Sequence, residues 1–480
     1  VSEFFGRKNE LGQLQQLVKK KSASLVVVTG RRRIGKSRLI EEFAQRCKGY
    51  RKVRINGLAP GKGITSQRQK QEFARQMERA LSIPPVLAED WADLFEHLAN
   101  HTTRGRWIIL LDEVTWIGFK DPEFLPKLKT AWDLYFKKNP HLILILCGSV
   151  CGWIEKNILS STGFLGRVSM RLRLLELPIQ DCHGFWSDSC KNVSSYDKLK
   201  FLAVTGGVPR YLEEVVPVLP VDENIRRLCF QRDGILFHEF EQIFSDLFDR
   251  RGSIYRRIVS HLSGNSSVMQ GIFDGLGMQK NGVLSSYLED LTLAGFVARD
   301  FAWNLKTLEV SKLSRYRLCD NYLRFYLKYI QPNRHRIEKG RFVSKPPEVL
   351  SSWDSFMGLQ FENLVLQNPD PIWQACSLSP SEIAQDGPYF QTQTRSRRGC
   401  QIDYLIQSRY GPLYLCEIKF RRSPIGVSVV QEVQEKIDRL KVPRHCSVIP
   451  LLIHVGGVTE TVEHSDFFAR IIDFTVGSTP

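Results

Sequence analysis

Residues 30–37, Gly-Arg-Arg-Arg-Ile-Gly-Lys-Ser, fit the pattern G-x-x-x-x-G-K-[ST]. A loop of that kind wraps phosphates with backbone N–H groups, and the helix behind it adds its positive end. Gly30 and Gly35 allow the turn. Lys36 is placed to reach β- and γ-phosphates, and the Ser37 hydroxyl to ligate Mg²⁺. The predicted ligand is ATP·Mg²⁺. The stretch RWIILLDEV supplies the carboxylates this chemistry needs. Asp112 would hold the ion through water, and Glu113 would polarise the attacking water as general base. An acid pair capping a helix is the plainer alternative. LILILCGSV ends in Ser149, which either sits beside the γ-phosphate or simply closes a strand.

A second constellation lies near the C-terminus, in GCQIDYLIQSRYGPLYLCEIKFRR. QIDYLI and PLYLCEIKF are apolar runs joined by a Gly-Pro turn, so they predict a β-hairpin. Asp403 is on the first strand. Glu417 and Lys419, two apart on the second, face the same way. Carboxylates on adjacent strands can share one Mg²⁺ or Mn²⁺, with a lysine beside them to orient water and balance phosphate charge. Glu362, on a preceding amphipathic helix, is a candidate third carboxylate. The alternative is a solvated hairpin face. Against it, Asp403 and Glu417 have apolar neighbours on both sides. The flanking clusters TRSRRG (Arg395, Arg397, Arg398) and KFRRS (Lys419, Arg421, Arg422) suit a phosphodiester approach or a solvated surface.

These residues need a scaffold. SLVVVTG, RWIILLDE and HLILILCGS are continuous apolar runs, the mark of parallel strands buried on both faces. Helices such as Ser66 to Leu81 and Leu125 to Lys137 supply the crossovers, which predicts an α/β doubly wound sheet. Beyond Leu177 the strand signal fades into helices with a turn at TGGVPRY. Phe237 to Phe301 reads as short helices with glycine turns followed by extended segments, which resembles a winged helix. Val283 to Phe296 is its candidate recognition helix, with Arg299, Lys306 and Lys312 on the arms. Docking of protein is the other use of such a module. Pro332 to Pro347 reads as a linker, and Ser352 to Pro480 as a second α/β unit.

Composition narrows the partners. Lys and Arg number 67 against 51 Asp and Glu, a net +16, which favours a polyanion, nucleic acid first. No apolar run reaches the ~18 residues of a membrane span, and Val1 to Asn9 has no signal-peptide core. The 11 cysteines are scattered with no CxxC pair, which points to reduced thiols in a cytoplasm and no zinc site.

In order along the chain, FFGRKNELGQL, GRRRIGKSRL, LLDEV, LCGSV, LGRVSMRLRLLEL and TGGVPRYLEEV resemble the archaeal-type ATPase family of the AAA+/STAND group of P-loop NTPases. The resemblance covers roughly the first half. It implies a helical lid after the sheet, Phe5, Gly6 and Arg7 beside the base and ribose, and Ser149 as a sensor. It matches Gly207-Val208-Pro209 to the lid motif in which Pro209 approaches adenine. Arg167 matches a position that acts on the γ-phosphate or across a subunit interface, hence a possible homo-oligomer; pairing with an acid of its own domain is the alternative. The C-terminal order Glu362, Asp403, Glu417, Lys419 resembles the PD-(D/E)xK nuclease-like fold, with Ile402 in place of the proline before Asp403.

The expected organisation is a P-loop NTPase with helical lid (1–230), a winged-helix domain (231–331), a linker (332–351) and a PD-(D/E)xK-like α/β domain (352–480). The expected role is an ATPase whose nucleotide state governs binding of double-stranded DNA and, where the C-terminal site is active, its metal-dependent cleavage. The rivals are a signalling switch with a silent C-terminal domain and a DNA-binding regulator that uses ATP as ligand.

Overall fold

Five parallel strands build the N-terminal sheet: β1 (Ser24–Thr29), β2 (Arg51–Asn56), β3 (Trp107–Asp112), β4 (Leu142–Gly148) and β5 (Val168–Arg173), in the order β2-β3-β4-β1-β5. The computed structural model describes residues 3–86, 89–118, 120–186, 193–247, 252–278, 282–342, 347–393 and 398–475. β1, β3 and β4 are buried at every position, as the continuous apolar runs require. One face carries Phe73, Trp91, Phe95 and Phe124 in edge-on and stacked ring contacts. The other packs Leu39, Ile40 and Phe43 of the helix Lys36–Arg46 against Val26, Val28 and Ile145. The helix Ser66–Leu81 has the predicted bounds, and its N-cap Thr65 accepts from the amide of Arg68.

The chain divides into two compact units. The first comprises Val1–Glu176 and two short later segments, one of them Ser286–Gly295. The second comprises Leu177–Phe244, Arg251–Ser285 and Phe296–Pro480.

In the second unit the helices Gly252–Leu262 and Met269–Leu276 precede an antiparallel hairpin of β6 (Val297–Trp303) and β7 (Val310–Leu318). The helix Gly282–Leu293 lies between them in the chain, and its later residues group with the first unit. There Arg173 donates to the carbonyl oxygens of Thr292 (2.7 Å) and Leu293 (2.8 Å), at the helix end where unpaired carbonyls favour a cation. The candidate recognition helix is therefore held at its C-terminal end.

The C-terminal sheet runs β12-β11-β10-β9-β8, with β8 (Ile383–Gln391), β9 (Cys400–Ser408), β10 (Leu413–Phe420), β11 (Val448–Val455) and β12 (Arg470–Asp473). β8, β9 and β10 are antiparallel; β10, β11 and β12 are parallel, with the helix Ser428–Arg439 between β10 and β11 in the chain. The β6–β7 hairpin is part of this core. Trp303 and Leu305 pack with Tyr389, Ile402, Leu405 and Leu413. The Trp303 indole donates to Gln407 Oε1 at 2.8 Å, and Gln407 Nε2 donates to the Leu305 carbonyl at 2.8 Å. The hairpin and the last sheet thus share one apolar core. Among the described residues no helix is long and apolar enough to cross a membrane.

Candidate functional site

The phosphate loop follows β1 directly. Gly30 has φ 153°, and a Cβ there would lie 2.7 Å from the Leu174 carbonyl oxygen, so any other residue would push the loop off β5. Gly35 caps the next helix in the left-handed region at φ 87°. Lys36 is buried, and its ammonium donates to the carbonyls of Gly30 (2.8 Å) and Arg31 (3.0 Å), which hold it over the loop. The three arginines differ in role. Arg31 pairs with Glu176, and the Arg32 guanidinium lies 4.9 Å from the centroid of the Trp116 ring. Arg33 adopts φ 69° in the turn.

The carboxylates of the β3 end stand beside this loop. Ser37 Oγ donates to Asp112 Oδ2 at 2.8 Å, so a hydroxyl and a carboxylate already face one another. Hard oxygen donors of this kind suit Mg²⁺. Glu113 leaves the strand in the left-handed region, φ 50°. Its Oε2 accepts from the hydroxyl (3.0 Å) and the amide (3.3 Å) of Ser149 at the end of β4. Parallel strands β3 and β4 thus bring Asp112, Glu113 and Ser149 together. Arg54 on β2 also donates to Asp112 Oδ2, at 2.9 Å, a contact not read from the sequence. Its only signal was an arginine in the alternating run RKVRIN. The Cys147 thiol, buried at the same strand end, has its pKa raised well above the usual range by burial first, then by Asp112.

The remaining N-terminal candidates are structural neighbours. Gly6 and Arg7 are both left-handed, at φ 70° and 58°. Arg7 is buried and donates to the carbonyls of Ile34 (3.2 Å) and Leu175 and to Glu10 (2.9 Å), tying the chain start to the phosphate loop. Phe5 precedes this strut. Arg167 grips Asp133 through Nε (2.9 Å) and Nη2 (2.8 Å), the pairing within its own domain that the sequence left open. Hydrogen bonding from Arg167 first, then from Lys129, holds the Asp133 carboxyl down to about 2 against burial. Pro209 belongs to the second unit and opens the short helix Pro209–Leu212.

Residues 4–215 match the model of an ATPase domain found predominantly in Archaea. This segment holds a P-loop ATPase domain. Over 369 residues the chain is 24% identical to the protein MJECL04 of Methanocaldococcus jannaschii, covering 75% of this chain and 76% of that one. Among solved structures it is similar to the Walker-type ATPase PABY2304 of Pyrococcus abyssi, with TM-score 0.49, 17% identity, and 68% and 96% of the two chains covered. It is also similar to the ORC2 protein of Aeropyrum pernix, with TM-score 0.44, 14% identity, and 71% and 96% covered.

Outside the ATPase domain, the second constellation is built by β9, β10 and two helices. The β9–β10 ladder runs from Leu413↔Gln407 to Cys416↔Tyr404. Beyond it, the Ile418 amide donates to Asp403 Oδ2 at 3.1 Å in place of a ladder bond. Asp403 and Glu417 meet on one ammonium: Lys436 Nζ lies 3.3 Å from Asp403 Oδ1 and 2.5 Å from Glu417 Oε2. Lys419 takes the other oxygen of Glu417 at 3.0 Å and reaches Glu432 at 2.7 Å. Burial first, then Glu417, raises the Asp403 pKa, while Lys436 works against the rise. Burial opposes the charge on Lys419 and Lys436, but the carboxylates outweigh it and both pKa values rise.

Glu362 lies on the helix Trp353–Gln367 and feels the Asp403 charge. Burial first, then the Asp403 charge, pushes its pKa up to about 7, with Arg317 and Arg324 pulling it down. Among the described residues no three His, Cys, Asp or Glu side chains group closely enough to hold a metal, so Glu362 does not complete a trio. Lys436 was missed in the sequence. It follows buried Val429 and Val433 at helical spacing, a lysine on an apolar face, and that was the available signal. Of the basic clusters, Arg395 and Arg397 lie outside the described residues, Arg398 is exposed, and Arg422 lies 3.9 Å from Glu348. On the hairpin, Arg299 folds over Phe301 (4.6 Å) and donates to Ser314 (3.0 Å).

Proposed function

We propose that this protein binds and hydrolyses ATP and uses its nucleotide state to control nucleic-acid binding, with metal-dependent cleavage of DNA at the C-terminal site. In the ATPase domain Lys36 would bind the phosphate tail, and Ser37 and Asp112 would hold Mg²⁺. Glu113 would take the proton of the attacking water, oriented by Ser149. In the C-terminal domain Asp403 and Glu417 would hold Mg²⁺ or Mn²⁺. A divalent ion there supplies charge neutralisation on the phosphate and a more acidic bound water. Lys419 stays at the carboxylate pair and offers its ammonium to a phosphate oxygen.

The observation that carries the reading is the convergence of Asp403 and Glu417, from adjacent strands, on one cation. The order helix, three antiparallel strands, helix, parallel strand agrees with the PD-(D/E)xK resemblance. The helices and hairpin of residues 252–318 support the winged-helix reading. The test is incubation of pure protein with plasmid and, in parallel, with single-stranded DNA, in Mg²⁺ or Mn²⁺, with and without ATP. Asp403→Asn and Glu417→Gln should abolish cleavage and leave ATP hydrolysis intact, while Lys36→Ala should abolish ATP binding. Equal nicking by wild type and Asp403→Asn overturns the nuclease part.

A second reading has its own support. The Lys436 and Lys419 ammoniums together already neutralise the carboxylate pair, as they would in a signalling switch with a silent C-terminal domain. A regulator that binds one duplex and uses ATP as ligand would show tight binding without cleavage. The plasmid experiment separates the nuclease from both, and a titration with duplex DNA separates the switch from the regulator.

A further inference from the structure

Two cavities open at the end of β8, the first of them reaching Lys436 of the carboxylate pair. The first, of about 520 Å³, is lined by Arg315, Phe390, Gln391, Lys436 and Arg439 among others. The second, of about 410 Å³, shares Phe390, Gln391 and Thr392 with it and adds Lys306 and Lys441. The shared residues make them one groove. It runs from the tip of the β6–β7 hairpin, past β8, to the helix that carries Lys436. Among the described residues that line it, Arg315, Lys436, Arg439, Lys306 and Lys441 are cationic and none is acidic. Arg439 is paired with Glu435 at 2.6 Å and Lys436 with Asp403 and Glu417, so Arg315, Lys306 and Lys441 supply the charge that draws an anion.

Its walls are fixed. Gln391 Nε2 donates to the carbonyls of Arg398 (2.7 Å) and Arg439 (2.8 Å), and its Oε1 accepts from the Lys441 amide at 3.1 Å. One buried amide therefore joins the β8 end, the segment before β9 and the end of the lysine helix. Arg315 stands opposite Asp300 on the hairpin, but Asp300 is taken by Arg317 at 2.8 Å. The Arg315 guanidinium instead lies 4.6 Å from the centroid of the Phe390 ring. That pair presents a flat cationic platform in the groove.

We propose that this groove binds a single nucleic-acid strand and leads its backbone to Asp403 and Glu417 by way of Lys436. The proposal rests on the reading of the C-terminal domain as acting on nucleic acid, and names the form of substrate it takes. Spaced cations suit successive phosphates. A guanidinium over an aromatic ring suits an unstacked base. Cavities of this size enclose a nucleotide or two and exclude a duplex, whose base faces are also unavailable for stacking. Lys436 belongs to both the groove and the carboxylate pair, so a phosphate that draws it off frees Asp403 Oδ1 and Glu417 Oε2 at once.

The test is fluorescence anisotropy with labelled oligo-dT, oligo-U and a duplex of equal length, on the full-length protein in EDTA. Wild type should bind the single strands more tightly than the duplex; the dT and U arms show whether DNA or RNA is preferred. Arg315→Ala/Arg439→Ala and Lys306→Ala/Lys441→Ala should each weaken single-strand binding by about tenfold and flatten its salt dependence by roughly 0.7 per lost phosphate contact. Arg315→Lys keeps the charge and should lose part of the affinity but none of the salt slope. If a double variant melts early, Arg315→Lys decides alone. Wild-type affinity in these variants, or tighter binding of the duplex, overturns the proposal. With Mg²⁺ or Mn²⁺ in place of EDTA, Asp403→Asn should not cut a single strand. If it cuts, the nuclease reading fails while the groove stands; if groove variants bind and cut normally, the groove fails while the nuclease reading stands.

Discussion

The Ser149 hydroxyl donates to Glu113 Oε2 at 3.0 Å, from the end of one strand to the end of its neighbour. Ser149 therefore sets where the Glu113 carboxylate points. Glu113→Gln keeps the contacts of the loop and of Asp112 and removes only the base. It should retain ATP affinity and lose hydrolysis by about 10²–10⁴-fold. Ser149→Ala leaves the base held only by the longer contact to the residue 149 amide and should lose about tenfold in turnover with affinity little changed. Phosphate release and fluorescent-nucleotide titration check both. Wild-type turnover in Glu113→Gln would show that the base lies elsewhere.

Asp133 and Arg167 give a pH signature. The Asp133 carboxyl is held at about 2, below its usual 3.8, by Arg167 first. A carboxyl with a depressed folded pKa contributes stability above its unfolded value and loses it as pH falls through the folded one. Asp133→Asn should therefore melt below wild type at pH 7, and the gap should close between about pH 4 and pH 2. Arg167→Ala should show the same gap. A loss of ATP hydrolysis in Arg167→Ala that Asp133→Asn does not share would assign Arg167 to the nucleotide instead.

Trp303 ties the β6–β7 hairpin to the last sheet. It is buried against Tyr389, with ring centroids 5.0 Å apart, and its indole satisfies Gln407. Trp303→Ala should cost about 3–5 kcal/mol, typical of a large aromatic removed from a core. A fragment ending at Ile330 would expose Trp303 and Leu305 and should aggregate, whereas one that continues to residue 475 should stay soluble. Denaturant melts and gel filtration check both. A stable, monomeric short fragment would mean that the hairpin core is dispensable.

What the sequence revealed follows from burial. β1, β3 and β4 are legible because the inner strands of a parallel sheet are apolar on both faces. β2 is an edge strand; RKVRIN buries only Val53 and Ile55, so no apolar run announces it. β5 likewise alternates. Lys36, Asp112 and Glu113 are legible because phosphate chemistry demands those types at those places. Asp403 and Glu417 stood out as charges inside apolar runs. Their partner Lys436 did not, because its role depends on a helix packing across β9 and β10. The partners of Arg167 and Trp303 lie 34 and 104 residues away, and nothing local specifies such pairs.

Lys436 decides how the C-terminal carboxylates meet a metal. Its ammonium lies between Asp403 and Glu417 and, with that of Lys419 on Glu417, supplies the two positive charges that a divalent ion would bring. Ion and lysine therefore compete for the same oxygens. Mg²⁺ sheds its water reluctantly and gains little from a pair that is already neutralised. Lys436→Met keeps the length and apolar stem of the side chain and removes the charge. Two carboxylates then face each other with only Lys419 nearby, and their repulsion favours any cation that can bridge them. Isothermal titration with Mn²⁺, in the absence of nucleic acid, should show affinity higher by about tenfold or more in Lys436→Met than in wild type. Adding Asp403→Asn to that variant should erase the gain, because one carboxylate is lost. A Lys436→Met protein that binds Mn²⁺ no better than wild type would show that the two carboxylates do not form a metal site, and would leave the signalling switch as the better account of this domain.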